Sequence, residues 1–200
     1  MIEEKAVYGH LRKVMTDYTK LSDETWNEFL KVCRVRSIKK NEKLLNIGEV
    51  PKNFYFVHGG LFRSYTISGV NSDKEVNKNF FEEGRFPASV VALLSKEPSG
   101  FCIEAIENSV IVEINHSAYR DLLYRSDELK LYHILYLEKH WILEKEPQEV
   151  SLLSDDSEGK YLHFIKQYPH LIERVPLYQL ASKIGITPTQ LSRIRKKLKS

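Results

Sequence analysis

Thr189, Ser192, Arg193 and Lys196 recur at intervals of three and four residues, the spacing that gathers side chains on one side of a helix. Their chemistry is that of duplex recognition. Hydroxyls can bond base edges, a guanidinium can grip a guanine with two parallel hydrogen bonds, and ammonium groups neutralise phosphate. Such side chains are useful only if a rigid element presents them, and Val175–Lys199 (VPLYQLASKIGITPTQLSRIRKKLK) contains that element. Leu177, Leu180, Ala181 and Ile184 form the apolar face of a first helix. Gly185 can end it with positive φ, and Ile186 can fill the corner. Thr187 and Pro188 then stand as N-cap and first residue of a second helix, with Leu191, Ile194 and Leu198 turned inward. The pattern predicts a helix-turn-helix.

Charge supports this reading. The 200-residue chain carries a net +3, but residues 160–200 alone hold nine Lys or Arg against the single acid Glu173. That tail is +8, leaving −5 for residues 1–159, so a basic polyanion-binding module is joined to an acidic body with another task. No apolar run reaches the length of a membrane span, and the first residues lack the apolar core of a signal peptide, so a cytoplasmic protein with no membrane partner is expected.

The body reads as helices followed by strands. Leu11, Val14, Met15 and Tyr18 share one helix face. Ser22 is the N-cap of a second helix, which carries Trp26, Phe29, Leu30 and Cys33. From Val35 to Ile114, short β-rich runs such as FYFVHGG, LFRSYTI and VIVEI alternate with breakers, among them Gly59-Gly60, Gly69 and Gly84. That spacing predicts an antiparallel sandwich or small barrel.

The string ITPTQLSRIRKKL resembles the recognition helix of the Crp/Fnr family of bacterial transcription regulators. KLLNIGEVPKNFYFVHGGLFRSY and FCIEAIENSVIVEI resemble the family's cyclic-nucleotide-binding jelly roll, with Gly48, Gly59-Gly60, Gly84, Ala105 and Ile114 as landmarks. The resemblance covers about residues 20–200. It implies an α+β fold: N-terminal helices, an antiparallel β jelly-roll barrel, a long dimerisation helix and a C-terminal helix-turn-helix domain. It implies a sensor domain over 1–146, with the dimer helix at about 116–146, and a DNA-binding domain over 147–200. It also implies double-stranded DNA, a second copy of the chain and RNA polymerase as partners. A serine–arginine pair reads bases in the family, and this role maps onto Ser192 and Arg193, with Thr189 where many members carry glutamate. Thr187, Arg195, Lys196, Lys197 and Lys199 are then the phosphate contacts.

The effector side departs from the family pattern. Members that bind cAMP carry a Gly-Glu pair for the ribose and an Arg-Ser pair for the cyclic phosphate. Here Ala88-Ser89 and Ser99-Gly100 stand in those places, so both the ribose acceptor and the phosphate arginine are missing. cAMP binding is not expected. If an unknown small-molecule effector exists, Arg85, Ser89 and Ser99 are its candidate polar contacts. Cys33 and Cys102 are too few for an iron–sulfur cluster of the family type. His58, His116, His133 and His140 form no recognisable haem-ligand set. No cofactor or metal is expected.

From Asn115, a helix N-cap, to about Glu146 the chain reads as one helical run. Leu122, Leu129, Tyr136 and Leu143 repeat at intervals of seven beside Tyr132, which predicts a seam between two copies, with Pro147 ending or kinking the helix. No nucleophile–base set, metalloprotease motif or phosphate loop suggests an enzyme. The function expected is a sequence-specific DNA-binding regulator, controlled by an effector other than cAMP or by none. The alternative is a ligand-binding or protein-interaction module whose helix-turn-helix does not read DNA.

Overall fold

The computed structural model describes residues 3–68 and 74–198. The turn expected at Gly69 and the phosphate contact expected of Lys199 lie outside the described residues. The chain divides into two compact units, residues 1–64 with 80–137 and residues 65–79 with 138–200.

The first unit begins with α1 (Glu4–Thr16) and α2 (Asp23–Leu30). The Ser22 hydroxyl caps α2 by accepting from the Thr25 N–H at 3.2 Å. Seven strands follow: β1 (Cys33–Ile38), β2 (Lys43–Leu45), β3 (Asn53–Gly59), β4 (Phe62–Ser68), β5 (Lys74–Phe81), β6 (Cys102–Ala105) and β7 (Ser109–Asn115), with the short helix α3 (Val90–Ser95) before β6.

These strands do not close into the expected jelly-roll barrel. They form two open sheets, ordered β1-β7-β3 and β2-β6-β4-β5, so each sheet keeps two edge strands. The reason lies in the ladders. β2 and β6 are three and four residues long, and their pairing shifts register between Lys43 and Leu45. The β3–β7 ladder shifts between Val57 and Gly59, and the chain leaves this sheet through Gly60, whose φ is +105°. A Cβ at Gly60 would fall 2.0 Å from the Ser109 Oγ, so only glycine fits this turn. The bend passes the backbone from one sheet to the other instead of carrying a ladder around a cylinder.

Period-two alternation gives the three-stranded sheet two apolar faces. Tyr55, Val57 and Ile111 point into a core with Ile38, Leu45, Phe62, Ile103 and Ala105. Phe56, Val112 and Ile114 point the other way, against Leu11, Met15, Trp26, Phe29, Tyr119 and Leu129. This is why FYFV is apolar without interruption.

The helical run expected after Ile114 is present in segments. α4 (His116–Arg125), capped by the Asn115 side chain, leads to α5 (Asp127–Leu137). A π-helical segment, Glu138–Leu143, and α6 (Lys145–Ser154) follow. Pro147 does not end a helix; it sits in the first turn of α6. Having no N–H, it cannot continue the α-ladder from the preceding turn, which is widened, with the Glu144 N–H bonding the Lys139 carbonyl at 2.9 Å. α7 (Ser157–Gln167), a 3₁₀ turn (Pro169–Leu171), α8 (Leu177–Ile184) and α9 (Pro188–Lys197) complete the chain. Among the described residues no helix is long and apolar enough to cross a membrane.

Candidate nucleic-acid interface

α8 and α9 form a helix pair around a small core. Leu180, Ala181 and Leu191 are fully buried, with Ile184, Phe164, Leu171 and Val175 around them. Burial of a leucine on this scale contributes about 1.5–3 kcal/mol. Gly185 ends α8 in the left-handed region at φ +74°, and the Ile186 N–H closes the corner on the Ala181 carbonyl at 3.0 Å. α9 opens with a capping box. The Thr187 Oγ1 accepts from the Gln190 N–H at 3.1 Å, and the Gln190 Oε1 accepts from the Thr187 N–H at 2.9 Å.

This framework exposes Thr189, Ser192, Arg193 and Lys196 on α9. The structure therefore brings the three expected base-reading residues together on one helix, beside one of the expected phosphate contacts. Arg195 is half-buried. Lys197 is exposed but already engaged: its Nζ lies 2.6 Å from the Glu158 Oε2 on α7, and this hydrogen bond raises its pKa. The Thr187 hydroxyl serves the cap. Leu198, expected to turn inward, is 44% exposed, because it follows the last turn of α9 instead of packing within it.

Sequence reasoning missed what holds α8 from its other side. The Ser182 Oγ donates to the Glu75 carbonyl and accepts from the Asn77 N–H, both at 3.0 Å. The Asn77 amide donates to the Gln179 carbonyl at 3.3 Å, and the Lys183 Nζ to the Lys78 carbonyl at 2.7 Å. β5 is an edge strand, and α8 satisfies its free backbone groups. Burial, with Lys78 and Lys145 nearby, pulls the Lys183 pKa down to about 8. No local signal links residues so far apart in sequence.

The expected effector contacts are placed differently. Ser89 and Ser99 are buried, and the Ser99 Oγ donates to the Ser89 Oγ at 2.8 Å. Ser99 also accepts from the Phe101 N–H at 3.1 Å. Arg85 is half-buried; its carbonyl accepts from the Val57 N–H at 3.0 Å, and no bond joins it to the serine pair. In the same unit, buried Arg63 donates through Nε to the Glu104 Oε2 at 2.7 Å.

The residues expected along the dimer seam fall on two sides of the helical run. Leu129 and Tyr132 are buried in the chain's own core, and Leu122 and Tyr136 pack against it, so these four face inward. Leu143 is 70% exposed, and Leu131 and Ile134 face outward on α5. The helical run carries two apolar stripes, and the inward one belongs to the core of the first unit.

The geometry has counterparts among solved structures. The chain superposes on FixK2 from Bradyrhizobium japonicum with a TM-score of 0.69 at 16% identity, covering 84% of each chain. The likeness is one of fold. The same fold relates the chain to CLP, described as a c-di-GMP responsive global regulator of Xanthomonas campestris, with a TM-score of 0.67 at 17% identity over 89% of this chain and 92% of that one. It also relates it to DNR from Pseudomonas aeruginosa, with a TM-score of 0.55 at 17% identity over 98% and 87%. Residues 35–126 match the Cyclic nucleotide-binding domain family. No curated protein matches the chain in sequence. The matched domain holds most of β1, β2–β7 and α4, and α8–α9 lie outside it.

Proposed function

We propose that this chain is a homodimeric, sequence-specific DNA-binding transcription regulator, controlled by an effector other than cAMP or by none. One observation carries the reading: a capped helix, fixed at its back by Leu191, presents Thr189, Ser192, Arg193 and Lys196 to solvent. In this reading Arg193 makes the main base contact, bidentate to a guanine, and Ser192 and Thr189 assist. Lys196 and Arg195 hold phosphate, and Lys197 does so after leaving Glu158. A dimer places two such helices in successive major grooves, about one helical turn apart on a near-palindromic site. Outward-facing Leu131 and Ile134, with Leu143 farther along the helical run, provide apolar surface for a second copy.

The serine pair supports the effector half of the proposal. Ser89 and Ser99 spend their hydroxyls on each other and on backbone, and neither position carries a charge able to hold a buried phosphate.

The test is selection of duplexes from a randomised pool at a fixed moderate salt concentration. Enrichment of a two-fold symmetric site is expected. On that site Arg193→Ala should cost about 1–3 kcal/mol and relax preference at one base pair, whereas Lys196→Ala should weaken all sequences alike. Unchanged site selection by Arg193→Ala would remove it as the reading residue.

A further inference from the structure

His10 and His58 stand 48 residues apart in sequence, yet folding sets them face to face in the first unit. His10 lies on α1 and His58 near the end of β3, and both are half-buried. Their Nδ1 atoms are 3.2 Å apart, and their ring centroids are 5.2 Å apart with the planes at 68°. The core holds both positions. α1 is anchored by buried Val7, Leu11 and Met15, and the His10 ring also meets fully buried Phe56 edge-on at 5.2 Å. The two nitrogens are thus brought together by packing that would persist without any bond between them.

Two nitrogens at this separation can share a proton, one donating and the other accepting. They can also share a metal ion. With metal–nitrogen bonds of about 2.0–2.1 Å, nitrogens this far apart subtend roughly 100–105° at the metal, near the tetrahedral angle that zinc adopts.

We propose that His10 and His58 form a two-histidine seat for a zinc-like divalent transition-metal ion, bound through both Nδ1 atoms. Among the described residues no group of three or more His, Cys, Asp or Glu side chains is arranged to hold a metal, so the remaining positions fall to water or to Glu83 after a side-chain rotation. The Glu83 Oε1 now accepts from the Gly60 N–H at 2.8 Å, two residues after His58. Imidazole ligation selects zinc, nickel or copper over magnesium and calcium. The ion would tie α1 to β3 in the folded state alone, and so stabilise the sensor unit.

The experiment uses the full chain without a polyhistidine tag, stripped with chelator and dialysed. Zinc chloride is titrated calorimetrically, and thermal melts are recorded with zinc and with magnesium. One zinc equivalent and a zinc-dependent rise in melting temperature are expected, with no rise from magnesium. His10→Gln and His58→Gln should each abolish both signals, while their melts without metal show that they still fold. Cobalt(II) gives an independent readout, a visible ligand-field band present in the parent chain and lost in either variant. Absence of the zinc equivalent in the parent chain, or its persistence in both variants, overturns the proposal.

Discussion

The outward face of α9 and the buried polar groups of the first unit use similar chemistry for opposite ends. Ser192 and Arg193 are exposed, whereas Ser89 and Ser99 are buried and bonded to each other, and Arg63 is held by Glu104. A polar group kept in water can be offered to a partner at little cost beyond its hydration. A buried one already bonded within the fold must give up that bond first. The contrast separates a surface suited to reading a partner from an interior suited to holding its shape.

Arg63→Ala tests the contrast most severely. It leaves the half-buried Glu104 carboxylate without its guanidinium and should cost about 3 kcal/mol in denaturant melts. A loss near zero would mean that the ion pair is not a structural element. Thr187→Ala is next, expected to destabilise the second unit by about 0.5–2 kcal/mol through loss of the α9 cap. The pH dependence of Lys183 is a finer probe. Its folded pKa, about 8, lies below the unfolded value of 10.5, so between those values the unfolded chain binds more protons and stability rises with pH. Lys183→Met should flatten that rise in urea melts recorded across the same window. The smallest effect is expected from Glu158→Ala, which releases Lys197. Binding to all duplexes should tighten slightly and its salt dependence steepen, as a salt titration of affinity would show.

The legible parts of this molecule were those decided by neighbours in sequence. Gly185, Thr187, Pro188 and the 180/181/184/191 apolar set specify the turn and both helices through backbone conformation and capping, and each takes the expected place. Ser22 and Asn115 cap their helices for the same reason. The direction of a helix with two apolar stripes was not legible. Leu129 and Tyr132 satisfy a heptad as well as Leu131 and Ile134 do, and only the strands packed beneath decide which pair is buried. Sheet closure likewise depends on which edges meet, and alternation along a strand carries no information about that. The expected base-reading set was legible as a face of α9, but the commitment of Lys197 to Glu158 was not, since it depends on a helix 39 residues upstream.

The capping box at Thr187 has a consequence for how strongly salt should govern this protein. A helix start normally leaves several amide hydrogens free, and these make a seat for an anion. At α9 the Gln190 amide is taken by the Thr187 hydroxyl, Pro188 has none, and the Leu191 amide already bonds the Thr187 carbonyl. Only the Thr189 amide is left to meet a phosphate. Backbone dipoles can therefore do little of the gripping, and it passes to mobile cationic side chains such as Lys196. In the proposed function each of those displaces condensed counterions from the duplex, so the affinity for DNA is expected to fall steeply as ionic strength rises.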